Sequence, residues 1–254
     1  MPRPLLADVA TFLRFYSRLP IGAGAHAPLD FARVAPALPI AGAVIGATGA
    51  AALVVARICH LPSLVCALVA IAGLALATGA LHEDGLADVV DGLGGSTRES
   101  KLAIMRDSRI GAYGVMALCF SILLRVAALA SILERSVTLA ALSLIFVGAL
   151  SRVAGLAPML WLSPARVDGL GATVAAPSRE AWGRACLIAA AFGLAPWVAG
   201  AGLSQIVVAI LAALGAAALV AKLAKREIGG YTGDVLGAAQ QFAEIAILAA
   251  LSAA

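Results

Sequence analysis

Charge is scarce in this chain. Asp, Glu, Lys and Arg make up 13% of its 254 residues, against 62% hydrophobic ones. A soluble globular domain carries about 25% charged residues, so this chain cannot cover a water-facing surface with polar groups. A single soluble domain, a disordered chain and a coiled coil are excluded together. Cysteine and histidine are sparse as well. Cys59, Cys66, Cys119 and Cys186 form no CxxC pair, and His26, His60 and His82 make no zinc pattern. No disulfide framework and no thiolate or imidazole metal site follows. Polar and apolar residues do not alternate at every second position, which excludes a membrane β-barrel.

What is abundant is Ala, Leu, Val and Ile, with 26 Gly. Small residues let helices approach closely in lipid, where little hydrophobic force draws them together. The Gly42–Gly46 GxxxG pair reads as such a contact. A spanning helix needs about 20 mostly apolar residues. Segments 34–56 and 61–81 hold no charged residue, and 111–133 and 137–162 are each broken by one Arg, Arg125 and Arg152. The uncharged stretch 185–221 is long enough for two spans, 185–202 and 204–221, with a turn at Gly200-Ala201-Gly202. A last span covers 232–254. Ahead of them, residues 5–19 carry apolar positions at helical spacing but include Asp8, Arg14 and Arg18, which suits an amphipathic helix in the membrane interface. The expected fold is therefore an all-α integral membrane protein, one polytopic domain over 1–254 with about seven transmembrane helices after an interfacial one.

Lys and Arg alternate by side. Fourteen lie in the N-terminal arm and in the loops 82–109, 163–184 and 222–231, against Arg57 and Arg135 on the other side. By the positive-inside rule the N-terminus and these loops are cytoplasmic.

Acids crowd into His82-Glu-Asp-Gly-Leu-Ala-Asp-Val-Val-Asp-Gly92. Asp84, Asp88 and Asp91, at i, i+4 and i+7, share one helix face. Like charges so placed repel unless a cation sits among them. Mg²⁺ commonly takes one or two carboxylates and completes its shell with water and substrate phosphates. In Met105-Arg-Asp-Ser-Arg109, Arg106 and Arg109 lie beside flexible backbone and suit phosphate oxygens. Lys225-Arg-Glu-Ile-Gly-Gly-Tyr-Thr-Gly-Asp234 places three glycines, a hydroxyl and an acid at a helix start, with Thr232 as its N-cap, in the manner of an anion- or metal-binding turn. Arg125 and Arg152 are costly inside apolar spans. They serve a site or pair structurally, with Glu244 as the available partner.

Taken together, HEDGLADVVDG, KLAIMRDSRIGAYG, Ser151-Arg152 and GGYTGDVLGAAQQ with Glu244 closely resemble the cobalamin synthase (adenosylcobinamide-GDP ribazoletransferase) family. The resemblance runs from Phe15-Tyr16-Ser17-Arg18-Leu19-Pro20 to the last span. Val89-Val90 departs from the family's usual residues at positions that are not read as ligands. The resemblance implies a Mg²⁺-dependent enzyme of the bacterial inner membrane. It would transfer the cobinamide-phosphate group of adenosylcobinamide-GDP to alpha-ribazole or its 5′-phosphate, releasing GMP. It further implies Asp84, Asp88 and Asp91 as metal and diphosphate residues, and Asp234 as a second ligand or a base. Arg106, Arg109 and Arg152 would be phosphate contacts. The implied partners are these two substrates and the lipid bilayer, with no nucleic acid, and with room for a homo-oligomer or a biosynthetic complex. Two other readings compete. Asp84-Gly85 opens like the signature of CDP-alcohol phosphotransferases, but the Arg that signature requires is missing and its later spacing fails. A small-solute transporter would place its polar groups at the bilayer midplane and show inverted repeats, and neither pattern is found.

Overall fold

A computed structural model describes residues 5–22, 31, 35–168 and 174–253. Among these the chain is helical, without a β-strand. α1 (Leu5–Tyr16) buries Val9, Phe12, Leu13 and Tyr16 on one face, and its first-turn Leu5 and Leu6 are exposed. That one-sided pattern keeps it on the bundle's flank. It ends three residues before the expected 19, where Ser17 bonds its hydroxyl back to Leu13 O.

α2 (Leu38–Ile58) starts with Pro39 in its first turn, where a missing N–H costs nothing. α3 (Ser63–Thr78) ends in two consecutive left-handed residues, Gly79 at φ 65° and Ala80 at φ 57°. They turn the chain by 90° into α4 (Leu81–Gly92). α5 (Arg98–Ile104) is capped by Thr97 Oγ1, which accepts from Ser100 N at 3.1 Å. α6 (Ala112–Arg135) and α7 (Val137–Gly155) follow, and α7 continues through the short α8 (Pro158–Trp161). α9 (Arg179–Ala191) and α10 (Leu194–Val198) rise together, and Gly200 at φ 109° turns the chain into α11 (Leu203–Ile228). α12 (Gly233–Ser252) closes the fold. Among the described residues six segments are long and apolar enough to cross a membrane, and α3 reaches that length only when counted as one span with α4 across the 90° bend, so the protein is multi-pass.

α11 runs to Ile228, past the expected 221, because Lys222, Lys225 and Arg226 are good helix formers that carry it into the polar layer. The expected polar stretch 82–109 is itself built into helices α4 and α5.

The closest helix contact joins α2 to α7 through glycine. A Cβ on Gly42 would run into the Gly148 carbonyl oxygen, and a Cβ on Gly148 into that of Gly42. This is the small-residue packing expected where lipid gives helices no other reason to associate. Farther along, Arg125 of α6 is 1% exposed and bonds Glu83 at 3.1 Å and Glu244 at 3.2 Å. Gln240 gives its amide to Glu244 at 2.7 Å and Ser151 at 3.0 Å. Arg125, Glu83, Glu244 and Gln240 are thus tied to one another within the bundle. At the far end, Arg135 donates to Leu251 O and Gly200 O, tying α6, α12 and the α10–α11 turn.

Candidate active site

α4 lies across one end of the bundle. Its start packs on the first turn of α12, and its end reaches the start of α6. Both helices begin on the same side of the bundle. The crossing is close because residue 85 is glycine: a Cβ there would sit 2.9 Å from Asp234 O. Asp84 and Asp88 are therefore brought beside Asp234, across some 150 residues of sequence. Asp88 records the crowding. Burial raises its pKa to about 7, with further contributions from Asp84, Asp234 and Asp91, while Arg166 opposes them.

Arg166 comes from the loop after α8, and three loops are stitched together around it. Ala165 N donates to Tyr231 O at 2.8 Å and Tyr231 N to Ser163 O at 3.0 Å, where Gly230 leaves no space for a side chain. Arg98 donates to Ile228 O at 2.8 Å and Ala165 O at 2.7 Å. Lys101 pairs with Glu227. Within this frame Arg166 Nη2 donates to Leu102 O at 3.1 Å and stands 3.9 Å from Asp234 Oδ2, and its Nε is buried without a partner. Thr232 caps α12 as expected, accepting from Val235 N at 3.3 Å, and its hydroxyl donates to Asp234 Oδ2 at 3.1 Å.

The expected site residues divide. Asp84, Asp88 and Asp234 converge. Asp91, on the same face of α4, instead holds the start of α6. Its two oxygens accept from Gly111 N at 2.7 Å and Gly114 N at 2.8 Å. Arg106 is half-exposed and pairs with Asp168 at 2.5 Å. Arg109 folds onto Asp107 in water, and that hydrogen bond lowers the Asp107 carboxyl to about 2. Arg152 is buried. Its Nη1 donates to Gly148 O at 3.0 Å, and its Nε has no partner. Glu244 bonds Arg125 and Gln240, so the alternative Arg152–Glu244 pairing is not formed among the described residues.

Asp84 and Asp234 also line a cavity of about 170 Å³, walled by Phe15, Tyr16, His82 and Arg152 among others. Arg166, Tyr16 and His82 were not singled out from sequence as site residues. Arg166 is one more basic residue in a basic loop, and Tyr16 belongs to an interfacial helix. Nothing local marks Arg166, and the run Phe15–Pro20 gives Tyr16 no chemical role.

Among the described residues, no three His, Cys, Asp or Glu side chains stand close enough to enclose a metal ion. The donor chemistry nevertheless fits a hard cation. Asp84, Asp88 and Asp234 offer only carboxylate oxygens, and around Asp88 three other acids, Asp84, Asp234 and Asp91, face the single opposing charge of Arg166. An open set of this kind matches Mg²⁺ held by one or two carboxylates with substrate oxygens completing its shell.

A family model described as cobalamin-5-phosphate synthase matches residues 8–252. The adenosylcobinamide-GDP ribazoletransferase of Azorhizobium caulinodans is 49% identical over 249 residues, covering 96% of this chain and 94% of its own. That of Xanthobacter autotrophicus is also 49% identical, covering 95% and 94%, and one from Rhizobium etli is 44% identical, covering 97% and 96%. No solved structure matches the chain.

Proposed function

The chain belongs to the cobalamin-5-phosphate synthase family, and we propose that it transfers the cobinamide-phosphate group of adenosylcobinamide-GDP to alpha-ribazole or alpha-ribazole 5′-phosphate. The observation that supports this is the convergence of Asp84, Asp88, Asp234 and Arg166, two of which, Asp84 and Asp234, line a cavity. A diphosphate needs its negative oxygens neutralised and its reacting phosphorus positioned, and little else.

In this reading Asp84 and Asp88 would hold Mg²⁺. The ion, when bound, supplies charge neutralisation on the phosphoryl oxygens. Arg166, 3.9 Å from Asp234 and with its Nε unpartnered, adds positive charge beside the same oxygens. Asp234, held by Thr232 at the cavity wall, accepts the proton of the attacking ribazole hydroxyl. The new bond joins that oxygen to the cobinamide-side phosphorus. The bond from that phosphorus to the bridging oxygen breaks, and GMP leaves with the electron pair. Asp91 keeps α4 and α6 in register. Arg106, freed from Asp168, and Arg152, in the cavity wall, remain the further anion contacts. The loops that carry the site are basic and face the cytoplasm of the inner membrane.

The test is GMP release by purified protein given adenosylcobinamide-GDP, ribazole and Mg²⁺. Asp84→Asn lowers turnover by orders of magnitude and weakens the Mg²⁺ requirement curve. Asp234→Asn costs about 10²–10⁴-fold, the usual contribution of a general base, at unchanged Mg²⁺ affinity. Near-normal turnover in both variants would remove the site from this face.

A further inference from the structure

α4 does not hold its own start. Its N-cap residue, Ala80, is left-handed at φ 57° and makes no side-chain cap. That conformation brings an alanine Cβ close to the following carbonyl oxygen, so the 90° bend before α4 is not a rest position of the chain. Asp91 fixes the helix only at its other end, against α6 and two helical turns from Asp84. We infer that the end of α1 clamps this bend: Tyr16 and His82 are positioning residues that hold the first turn of α4, and with it Asp84, and His82 serves there as a ring rather than as an acid or base. Asp84 takes its task from the transfer reading above, on which the inference rests.

The clamp has three parts. The first is aromatic. Rings step from Phe31 to Phe12 to Tyr16, with centroids 5.7 Å and 6.1 Å apart, and the last step crosses from α1 to α4. There Tyr16 lies on His82 at 5.5 Å with the planes at 12°. The second is a backbone tie. Just past α1, Arg18 N donates to Ala77 O at 2.7 Å, in the last turn of α3. The third is steric. The Arg18 guanidinium fills the place that a Cβ on Gly79 would take, so the side chain lies along the bend itself. α12 closes the far side, where a Cβ on Gly237 would meet His82 Cα at 3.4 Å. His82 is therefore gripped between α1 and α12.

His82 and Asp84 belong to one helical turn, so what fixes the ring also fixes the carboxylate. Among the described residues the buried imidazole has a ring partner and no hydrogen-bond partner. A flat face is all that its contact with Tyr16 uses. It also borders the cavity beside Asp84 and Asp234, where an imidazole in a chemical role would act. The two roles part in a variant that keeps a ring and removes its nitrogens.

The experiment compares Tyr16→Leu and His82→Leu, which remove a ring, with Tyr16→Phe and His82→Phe, which keep one. Melting curves restrict the comparison to folded protein in nanodiscs. Hydrogen exchange of metal-free protein reads the clamp directly. Mn²⁺ binding, followed by electron paramagnetic resonance, reads the carboxylates without turnover, and GMP release reads the reaction. One ring pair carries up to about a tenfold change in an equilibrium. In both Leu variants the amides of residues 84–87 should exchange up to about tenfold faster, while those of Gly111 and Gly114 keep their rate. The Kd for Mn²⁺ should rise by a similar factor, and GMP release should recover at raised Mg²⁺. Both Phe variants should behave like the unaltered protein. The double Leu variant should be no worse than either single one, because both break the same contact. A His82→Phe protein as impaired in GMP release as His82→Leu makes the imidazole a chemical group and overturns the inference. So do Leu variants whose α4 amides exchange at the unaltered rate. Failure of the transfer reading looks different: the unaltered protein then binds no Mn²⁺ and releases no GMP, while the exchange rates still report whether the clamp exists.

Discussion

Asp91 offers the sharpest test of how the acidic face divides its labour. It lies on the same helix stripe as Asp84 and Asp88, yet both of its oxygens accept backbone N–H groups at the start of α6. Each such charge-assisted bond contributes about 1.5–3 kcal/mol, and an anion at a helix N-terminus adds about 0.3–1 kcal/mol. In Asp91→Asn the amide oxygen keeps one bond, and the NH₂ faces the other N–H. With Asp91 half-buried the lower ends apply, for a net loss of about 2–3 kcal/mol. For a chain of this size that is roughly 5–10 °C of melting temperature. Gly114→Ala should reproduce the loss by another route, because its Cβ would run into Asp91 Oδ2. The double variant should fall little below the worse single one, since both break the same contact. Thermal unfolding in nanodiscs reads the stability, and the Mg²⁺ dependence of GMP release reads the site. An Asp91→Asn protein that melts like the unaltered one but needs far more Mg²⁺ would refute the reasoning and return Asp91 to the metal.

Asp88 carries a pH signature. Its folded pKa of about 7 lies above the ordinary 3.8, so the folded state holds a proton that the unfolded chain releases. Its unfavourable contribution is therefore absent below pH 3.8 and grows as pH rises toward 7. Asp88→Asn should flatten that stretch of the melting-temperature profile of metal-free protein, and an unchanged slope would count against the crowding. Arg125→Met strands Glu83 and Glu244 in the bundle and should cost about 3–5 kcal/mol, whereas adding Glu83→Gln and Glu244→Gln should recover much of the folded yield. A triple variant as poor as the single one would show that the ion pairs are not the cause. For topology, Cys59 and Cys119 are exposed and must first be replaced. A cysteine at Ser96 should then be shielded from an impermeant thiol reagent in intact cells and one at Ser252 labelled; the reverse pattern would invert the orientation.

Much of this protein is legible one residue at a time. Scarce charge forces the chain into lipid, and runs of about 20 apolar residues mark the spans, because the bilayer sets one length for every crossing helix. The bend at Gly79–Ala80 is harder to see. Glycine permits a left-handed turn, but nothing local predicts that Ala80 adopts one as well. The i, i+4, i+7 spacing of Asp84, Asp88 and Asp91 was likewise readable, since helical period alone puts them on one face.

Their different fates were not readable. Spacing says that three carboxylates share a face and nothing about what lies opposite. Only the packed bundle sets Gly111 and Gly114 against Asp91, and Asp234 with Arg166 against Asp88. Arg166 reaches the site from a segment with no motif of its own, and Tyr16 from a run that gives it no chemical role, through loop stitching and helix docking that join residues more than 60 apart. Arg109, conspicuous in its motif, turns to its neighbour Asp107 in water. Hydropathy and helical period are local properties that the chain carries in order along its length. Which groups meet in a site depends on contacts between distant segments, and those exist only once the helices have packed.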